Sequence, residues 1–329
     1  MIRRLRILTW HVHGGYLSAL SHVPHEFYLP VKPGRPPGYA GRTGPFRWPD
    51  TVHEVPADDV RRMRFDCVLY QSRDNYVWDG HEILSISQQR LPRIYLEHDP
   101  PREHPTDTRH VVQDPSVLVV HVTPFNALMW DTGDAPTRVI EHAVSIPPGV
   151  RYTGERQRGV VVVNNLAARG RRLGLDVFDQ VRREIPLDLV GMGSEELGGL
   201  GEVPYPELPI FEAPYRFLFN PIRYTSLGLA VIESMHIGMP VVGLATTEMV
   251  TAIGNGVSGY VDTDPRRLVE RMRHLLDDPA EARRLGEGAR RTAEARFGMD
   301  RFVHEWLDAF ATVTGIPTPS SAWERRGAA

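Results

Sequence analysis

The sequence predicts an α/β protein built on parallel sheets. Short apolar runs alternate with amphipathic helical patterns from one end of the chain to the other, which is typical of strand–helix–strand units. Several of these runs are apolar at nearly every position, as expected for strands that are covered on both faces. The chain has 329 residues, which corresponds to about two domains of roughly 150 residues each.

The first half contains six predicted strands, one clear helix and two long irregular segments. The segment 32–50 is rich in Pro and Gly, and the segment 99–114 is rich in Pro, Asp and His. Loops of this length are usually binding loops or disordered. Each follows the end of a predicted strand, where open α/β sheets bind their ligands. The predicted strands are 6–10, 25–31, 65–71, 93–97, 117–122 and 138–141, and the helix is 79–90.

A second alternating series follows a predicted linker at 145–150, where Pro-Pro-Gly stops both helix and strand. We therefore expect a domain over 1–147, a second over 148–299 with a ligand cleft between the two, and a flexible tail over 315–329. The predicted strands of this half are 160–163, 187–190, 215–219 and 240–244, and the predicted helices are 175–184, 226–237, 265–276, 280–296 and 300–312.

Composition excludes several classes of protein. A net charge of −3 gives no field that would attract nucleic acid, and we expect no nucleic-acid partner. One cysteine, Cys67, excludes a disulfide framework and a thiolate zinc site. No run reaches about 18 apolar residues and the N-terminus lacks the pattern of a secretion signal, so the expected location is cytoplasmic.

Familiar catalytic motifs are absent from the sequence, but one glycine pair could approach an anion. No P-loop, dinucleotide-binding Gly-x-Gly-x-x-Gly or Gly-x-Ser-x-Gly elbow is present. Gly14 and Gly15 lie between the first strand and a short helical pattern, where backbone N–H groups can approach a phosphate. Taken alone, the pair is more simply explained as a tight turn.

The strongest signal is the segment 219–242. A strand ends at Asn220-Pro221, and we expect Thr225 or Ser226 to cap the helix that follows. The N–H groups around Ser226, Leu227 and Gly228 could then hold a diphosphate without a metal. Glu233 lies about two turns further along an apolar helix. An unpaired carboxylate is costly to bury there, whereas a carboxylate that accepts hydrogen bonds from two ribose hydroxyls is not.

This segment resembles the retaining glycosyltransferases of the GT-B fold, of the family 4 type. Their motif runs Pro-Ser-x-x-Glu-x-Phe-Gly-x-x-x-x-Glu-Ala-Met-x-x-Gly-x-Pro-Val. The resemblance is dense over about 160–300 and thin over 1–145. The positions of this chain that match the motif are Pro221, Gly228, Glu233, Met235, Gly238, Pro240 and Val241.

The resemblance implies two Rossmann-like domains facing across a cleft, with a C-terminal helix (300–313) that crosses back to the first domain. It implies a nucleoside-diphosphate sugar as donor, retention of the anomeric configuration and no cofactor or metal. The acceptor is then a glycan, a lipid-linked molecule or a small molecule, with at most peripheral membrane contact. Glu97-His98-Asp99 resembles the family's His-Asp segment, which makes His98 a candidate catalytic residue, and Gly14 and Gly15 fit the same family.

The chain departs from the family at the residues that meet the donor. Thr225 occupies the place of the motif's first Glu, and it can hydrogen-bond a hydroxyl but brings no charge. The usual Arg and Lys fall on Asn165 and Leu173. Arg169, Arg171 or Arg172 could supply the charge, and a solvated basic turn explains these arginines equally well.

Two other functions compete with glycosyl transfer. The departures at the donor residues favour a non-catalytic protein that binds a nucleotide or a partner. A metal hydrolase could use His98, Asp99, Glu103, His104 and His110, but their spacing matches no known ligand pattern. Asp262-Thr263-Asp264 is interpreted as the N-cap of the next helix and not as a metal site.

Overall fold

The structure is a computed structural model that describes residues 3–317 in two compact units. Unit 1 comprises residues up to Ala143 together with those from Met299 onward, and unit 2 is Val144–Gly298. Most of the predicted tail, residues 318–329, lies outside the described residues. No helix among residues 3–317 is long and apolar enough to cross a membrane.

Unit 1 is built on a parallel sheet whose described strands follow the order β3-β2-β1-β4-β5-β6-β7. The chain moves outward from β1 in one direction and then from β4 in the other. The switch point therefore lies between the carboxyl ends of β1 and β4, where open α/β sheets bind ligands. The strands are Arg6–Thr9 (β1), Glu26–Val31 (β2), Val52–Pro56 (β3), Cys67–Tyr70 (β4), Arg93–Glu97 (β5), Val117–His121 (β6) and Thr137–Val139 (β7).

The helices of unit 1 are short except for the last, which packs into the core of the sheet. They are Gly14–Leu20 (α1), Gly80–Ile83 (α2), Pro124–Met129 (α3) and Met299–Thr314 (α11). The buried face of α11 carries Phe302, Trp306 and Phe310. The Trp306 indole Nε1–H donates to the hydroxyl of Tyr16 on α1 at 3.1 Å. This helix is thereby part of the hydrophobic core of unit 1.

Unit 2 is built on a second parallel sheet, whose order among the described strands is β12-β11-β10-β8-β9. Its switch point lies between β8 and β10. The strands are Arg156–Val162 (β8), Leu187–Val190 (β9), Tyr215–Asn220 (β10), Val241–Leu244 (β11) and Gly259–Asp262 (β12). The helices are Leu166–Arg169 (α4), Leu175–Val181 (α5), Leu208–Glu212 (α6), Leu229–Ile237 (α7), Met249–Ala252 (α8), Pro265–Asp277 (α9) and Pro279–Arg296 (α10).

The predicted α/β class with parallel sheets is confirmed, but several elements differ from prediction. The helix predicted over 79–90 is wrong: a π-helical turn, α2 and a 3₁₀ turn replace it, separated at Leu84, whose backbone is extended. The edge strands β3 and β12 were not predicted. The Asp264 cap is confirmed, since its side chain accepts from the Arg266 N–H at the start of α9.

Candidate functional site

The first candidate site is the switch point of unit 2, where loops from four parallel strands meet. After β8, the Asn164 side-chain oxygen accepts from the Met192 N–H at 2.9 Å. The carbonyl of Met192, which follows β9, accepts from Asn165 at 2.6 Å. After β11, the Thr246 hydroxyl donates to the carbonyl of Ile222, which follows β10, at 3.0 Å. The loop after β8 is thus joined to the loop after β9, and the loop after β10 to the loop after β11.

A basic turn approaches the loop after β10 because Gly174 has no side chain. Gly174 has a φ of +86°, and a Cβ there would lie 1.9 Å from the Pro221 carbonyl oxygen. The Arg172 carbonyl accepts from the N–H groups of Arg223 and Tyr224 at 3.1 and 3.2 Å. The predicted donor-binding residue Arg172 therefore lies directly beside the segment that resembles the family motif.

The arginines of this turn differ in how they are engaged. Arg171 pairs with Asp176 at 2.5 Å, and Arg223 holds the same carboxylate through both of its terminal nitrogens. Arg169 ends α4, four residues before the turn closes at Leu173. Within residues 3–317, the half-buried Arg172 guanidinium has no hydrogen-bond or ion-pair partner. The Arg172 guanidinium is consequently not engaged by another group of the described chain and can bind an anionic ligand.

The predicted cap of α7, Thr225 or Ser226, is wrong. The helix begins at Leu229 with Gly228 as its N-cap, and no side chain caps it. Ser226 and Leu227 are buried in the segment before the helix, and Leu227 packs into the hydrophobic core of unit 2. Thr225 is half-buried, and its hydroxyl has no hydrogen-bond partner within the described chain.

Glu233 lies in a buried acidic cluster that sequence reasoning missed. Its carboxylate is 1% exposed and hydrogen-bonds the Tyr205 side chain, while its Oε1 has no partner among the described residues. Burial raises the pKa of Glu233 from 4.5 to about 7, and the Tyr205 hydrogen bond partly offsets this. Glu212 is fully buried and accepts from the Ser234 hydroxyl at 3.1 Å. Burial, with the nearby Glu233 charge, raises the pKa of Glu212 well above its ordinary value.

The second candidate site is a cavity of about 790 Å³ at the switch point of unit 1. His98 lies in its wall, just after β5, and is nearly buried. The Gln71 amide donates to Thr9 and to the Trp10 carbonyl, so its oxygen is left to accept from His98 Nε2–H at 3.3 Å. Burial, followed by the neighbouring His13 and His142, lowers the pKa of His98 well below its usual range. The imidazole of His98 is therefore neutral.

The glycine pair lies beside the same cavity but has a packing role of its own. Gly14 and Gly15 begin α1, and His13, the residue at its N-cap, lines the cavity. A Cβ on Gly14 would lie 2.4 Å from the ring of Phe46, which belongs to the predicted loop 32–50. The Phe46 ring fits beside Gly14 because Gly14 has no side chain.

Glu97 and His110 form a buried pair in the wall of the unit 1 cavity. The Val112 N–H donates to His110 Nδ1 at 3.0 Å, so the imidazole proton is on Nε2 and is donated to Glu97 Oε2 at 3.1 Å. The other oxygen, Glu97 Oε1, accepts from the Asp99 N–H at 2.9 Å. Sequence reasoning named His110 only as part of a metal site. Among the described residues no three His, Cys, Asp or Glu side chains come together as a metal-ligand group.

Comparison with known proteins finds a family profile that matches part of unit 2. Residues 193–292 match the profile of the family described as glycosyl transferases group 1. This segment of the chain is thus similar to the group 1 glycosyltransferases. The match covers the loop after β9, the strands β10 to β12 and the segment 219–242.

Curated relatives match a part of the chain of similar length. A D-inositol 3-phosphate glycosyltransferase from Catenulispora acidiphila is 36% identical over 109 residues, which is 32% of this chain and 26% of that protein. A trehalose synthase from Pyrococcus horikoshii is 28% identical over 88 residues, or 27% of this chain and 21% of that protein. The matched segments span about a quarter of the length of these relatives.

Solved structures extend the likeness to both units. A sucrose-phosphate synthase from Thermosynechococcus elongatus superposes with a TM-score of 0.69 at 16% identity, covering 95% of this chain and all of that one. The Anabaena protein HepE, solved with UDP, gives a TM-score of 0.64 at 13% identity over 94% of this chain and all of that one. At these identities the likeness shows the fold, which is GT-B with two Rossmann-like units.

Proposed function

We propose that this chain transfers a glycosyl group from a nucleoside-diphosphate sugar to a hydroxyl of an acceptor. The observation that carries the proposal is the Arg172 guanidinium, which has no partner among residues 3–317 and lies beside the loop between β10 and α7, at the switch point of unit 2. Diphosphates bind at such points through backbone N–H groups and arginine forks. The match of residues 193–292 to the group 1 glycosyltransferase profile and the UDP bound to the structural neighbour HepE support the same ligand class.

Different residues bind the diphosphate and the ribose of the nucleotide. Arg172 and Arg169 contact the diphosphate, together with the backbone N–H groups of Ser226, Leu227 and Gly228. Glu233 accepts from the ribose hydroxyls through Oε1 while Tyr205 remains on the carboxylate. Positive charge and oriented N–H groups stabilise the leaving diphosphate, so we propose that no metal or other cofactor is needed.

The remaining predicted residues act on the sugars. Thr225 hydrogen-bonds a hydroxyl of the donor sugar with the side chain that has no partner in the described chain. His98, held neutral, contacts a sugar at the unit 1 cavity, and Gly14 and Gly15 let backbone N–H groups approach a phosphate. The family resemblance implies transfer with retention to a glycan, lipid-linked or small-molecule acceptor, and we propose this stereochemistry for the chain.

The test is the thermal unfolding midpoint of the protein with UDP, GDP, ADP and TDP, each with and without EDTA. Mass action predicts a rise for the matching nucleotide that grows with its concentration above the dissociation constant. EDTA should leave the rise unchanged. Anomeric NMR of the transferred sugar then reports retention or inversion.

Arginine variants locate the site. Arg172→Met should weaken nucleotide binding about 10- to 100-fold, since hydrogen bonds between charged groups contribute roughly 1.5–3 kcal/mol. Arg183→Met is the matched control, because Arg183 is an exposed arginine of the same unit. No rise with any nucleotide, or an equal effect of both variants, would contradict the proposed site.

A second candidate function is nucleotide binding without turnover. It is favoured by Thr225, which brings no charge where the family motif has Glu. Release of nucleoside diphosphate from the matching sugar donor separates the two functions. Binding that is never followed by release would establish the non-catalytic function.

A further inference from the structure

The cavity of unit 1 contains a carboxylate whose orientation is fixed and whose acceptor capacity is not used up. Glu97 Oε1 accepts from the Asp99 N–H, and Glu97 Oε2 accepts from His110 Nε2–H. A carboxylate has about four lone-pair sites, so each oxygen retains one more. The Glu97 side chain is 13% exposed, and Glu97 lines the cavity. The remaining sites can therefore accept hydrogen bonds from a ligand there.

His110 makes this orientation rigid. Its side chain is 1% exposed, and the backbone N–H of Val112 fixes the tautomer that donates to Glu97. The ring lies edge-on to Tyr95 and Trp130, with ring centroids 4.8 and 5.0 Å away. A charged acceptor held between fixed donors loses little entropy when it binds a hydroxyl.

The charges around the cavity suit a neutral ligand. Arg102 is paired with Asp99 at 2.5 Å, and Arg109 is paired with Asp131 at 3.4 Å. These pairs leave Arg73 as the one cation of the lining without an ion pair in the described chain, opposed by the carboxylates of Glu97 and Glu103. A phosphate or carboxylate ligand would meet Glu97 directly, whereas sugar hydroxyls can donate to it.

The cavity also has the size and surface of a sugar site. Its volume of about 790 Å³ lies within the roughly 300–1,000 Å³ of ligand pockets. Trp130 lines it, and because the indole N–H is donated to the Asp99 carbonyl at 2.7 Å, the ring contributes apolar surface. Apolar ring surface beside a fixed carboxylate matches the two kinds of surface that a sugar or polyol presents.

We propose that Glu97 binds hydroxyl groups of a neutral sugar or polyol acceptor in the unit 1 cavity, with His110 as the positioning residue that orients its carboxylate. This inference rests on the proposed function, of which it names the acceptor class. It assigns to Glu97 and His110 the role of acceptor selection, separate from the donor residues of unit 2.

Binding is measured first, without turnover. Saturation-transfer difference NMR of the full chain uses glucose, mannose, N-acetylglucosamine and myo-inositol, with glucose 6-phosphate and mannose 6-phosphate as anionic probes. We expect signals from at least one neutral probe that Glu97→Gln weakens about 10- to 100-fold, the size expected for losing hydrogen bonds to a charged group. Glu103→Gln, which changes an exposed carboxylate of the same lining, should leave the affinity unchanged.

The positioning role has its own readout in transfer kinetics. With the sugar donor of the matching nucleotide, Glu97→Gln and His110→Phe should raise the acceptor KM more than they lower kcat. His110→Gln, whose amide can still donate to Glu97, should restore part of the lost KM. A merely structural role for His110 would lower thermal stability without this split between KM and kcat.

The outcomes separate this inference from the proposed function. Sugar binding that depends on Glu97 in a chain that neither binds nucleotides nor transfers sugar supports the sugar site and refutes the proposed function. Binding of phosphorylated probes alone, no signal from any neutral probe, or equal affinities of wild type and Glu97→Gln would each overturn the inference while leaving nucleotide binding intact.

Discussion

Replacing Glu233 by Gln should stabilise the protein at neutral pH while weakening nucleotide binding. The carboxylate is buried beside Tyr205, and its pKa is raised from 4.5 to about 7. Between these two values the folded state holds a proton that the unfolded state has released. Raising the pH through this window therefore favours unfolding, and the penalty is complete above pH 7.

The magnitude follows from the size of the rise. One pH unit corresponds to about 1.4 kcal/mol, so the rise from 4.5 to about 7 makes the ionised carboxylate cost on the order of 3 kcal/mol at pH 8. Glutamine has nearly the same shape and does not titrate. The Glu233→Gln variant should recover most of this free energy at pH 8 and little at pH 4.5.

The assay is urea unfolding of the full chain at pH 5, 6, 7 and 8, with the free energy of unfolding of each variant compared at each pH. Glu287→Gln is the matched control, because Glu287 is an exposed carboxylate of α10 in the same unit. Parallel pH profiles for wild type and Glu233→Gln would refute the reasoning, since they would mean that the Glu233 carboxylate is ionised at no cost.

The same variant also tests why such a costly group is present. If Glu233 accepts from the ribose hydroxyls, Glu233→Gln should lower the thermal shift produced by the matching nucleotide, even though the free protein is more stable. A variant that is stabilised and binds the nucleotide normally would remove Glu233 from the donor site.

Three further predictions concern the fold and the candidate site of unit 2. Gly174→Ala should reduce both the unfolding midpoint and the nucleotide shift: the left-handed φ alone costs about 1–2 kcal/mol, and the new Cβ meets the Pro221 carbonyl; a wild-type nucleotide shift would contradict this. Trp306→Phe should cost about 1–3 kcal/mol in urea unfolding, because the buried Tyr16 hydroxyl loses its donor, and an unchanged midpoint would contradict it. Thr225→Glu should lower the rate of glycosyl transfer if the site is adapted to a neutral side chain. Activity that appears only with this change would indicate that the chain had lost catalysis with the Glu.

Patterns that are local in the chain allowed the fold class to be predicted and the segment 219–242 to be singled out from sequence. Buried strands such as Val117–His121 are continuous apolar runs. The Asp264 cap lies two positions before the residue whose N–H it accepts from. The segment 219–242 combines a strand end, a glycine and an apolar helix within 24 consecutive positions. Each of these signals is read from neighbours in the chain.

Elements with weak local signals needed the tertiary structure. The edge strand Val52–Pro56 pairs only with β2 among the described strands and buries two of its five side chains, so it lacks an apolar run. The pattern over 79–90 has helical periodicity, but its backbone breaks at Leu84. In both cases pairing and packing with distant segments outweigh local propensity.

The candidate sites show the same division. Glu233 was predicted from its helix, but its partner Tyr205 comes from a segment 28 residues earlier. Glu97 and His110 are separated by an irregular loop, and the tautomer of His110 is set by the backbone of Val112. Chain distance carries no information about such pairs, because hydrogen bonds and burial depend on where the fold brings side chains together. Only the tertiary structure shows which acids are buried, which arginines have no partner in the described part of the chain, and which carboxylate faces a cavity.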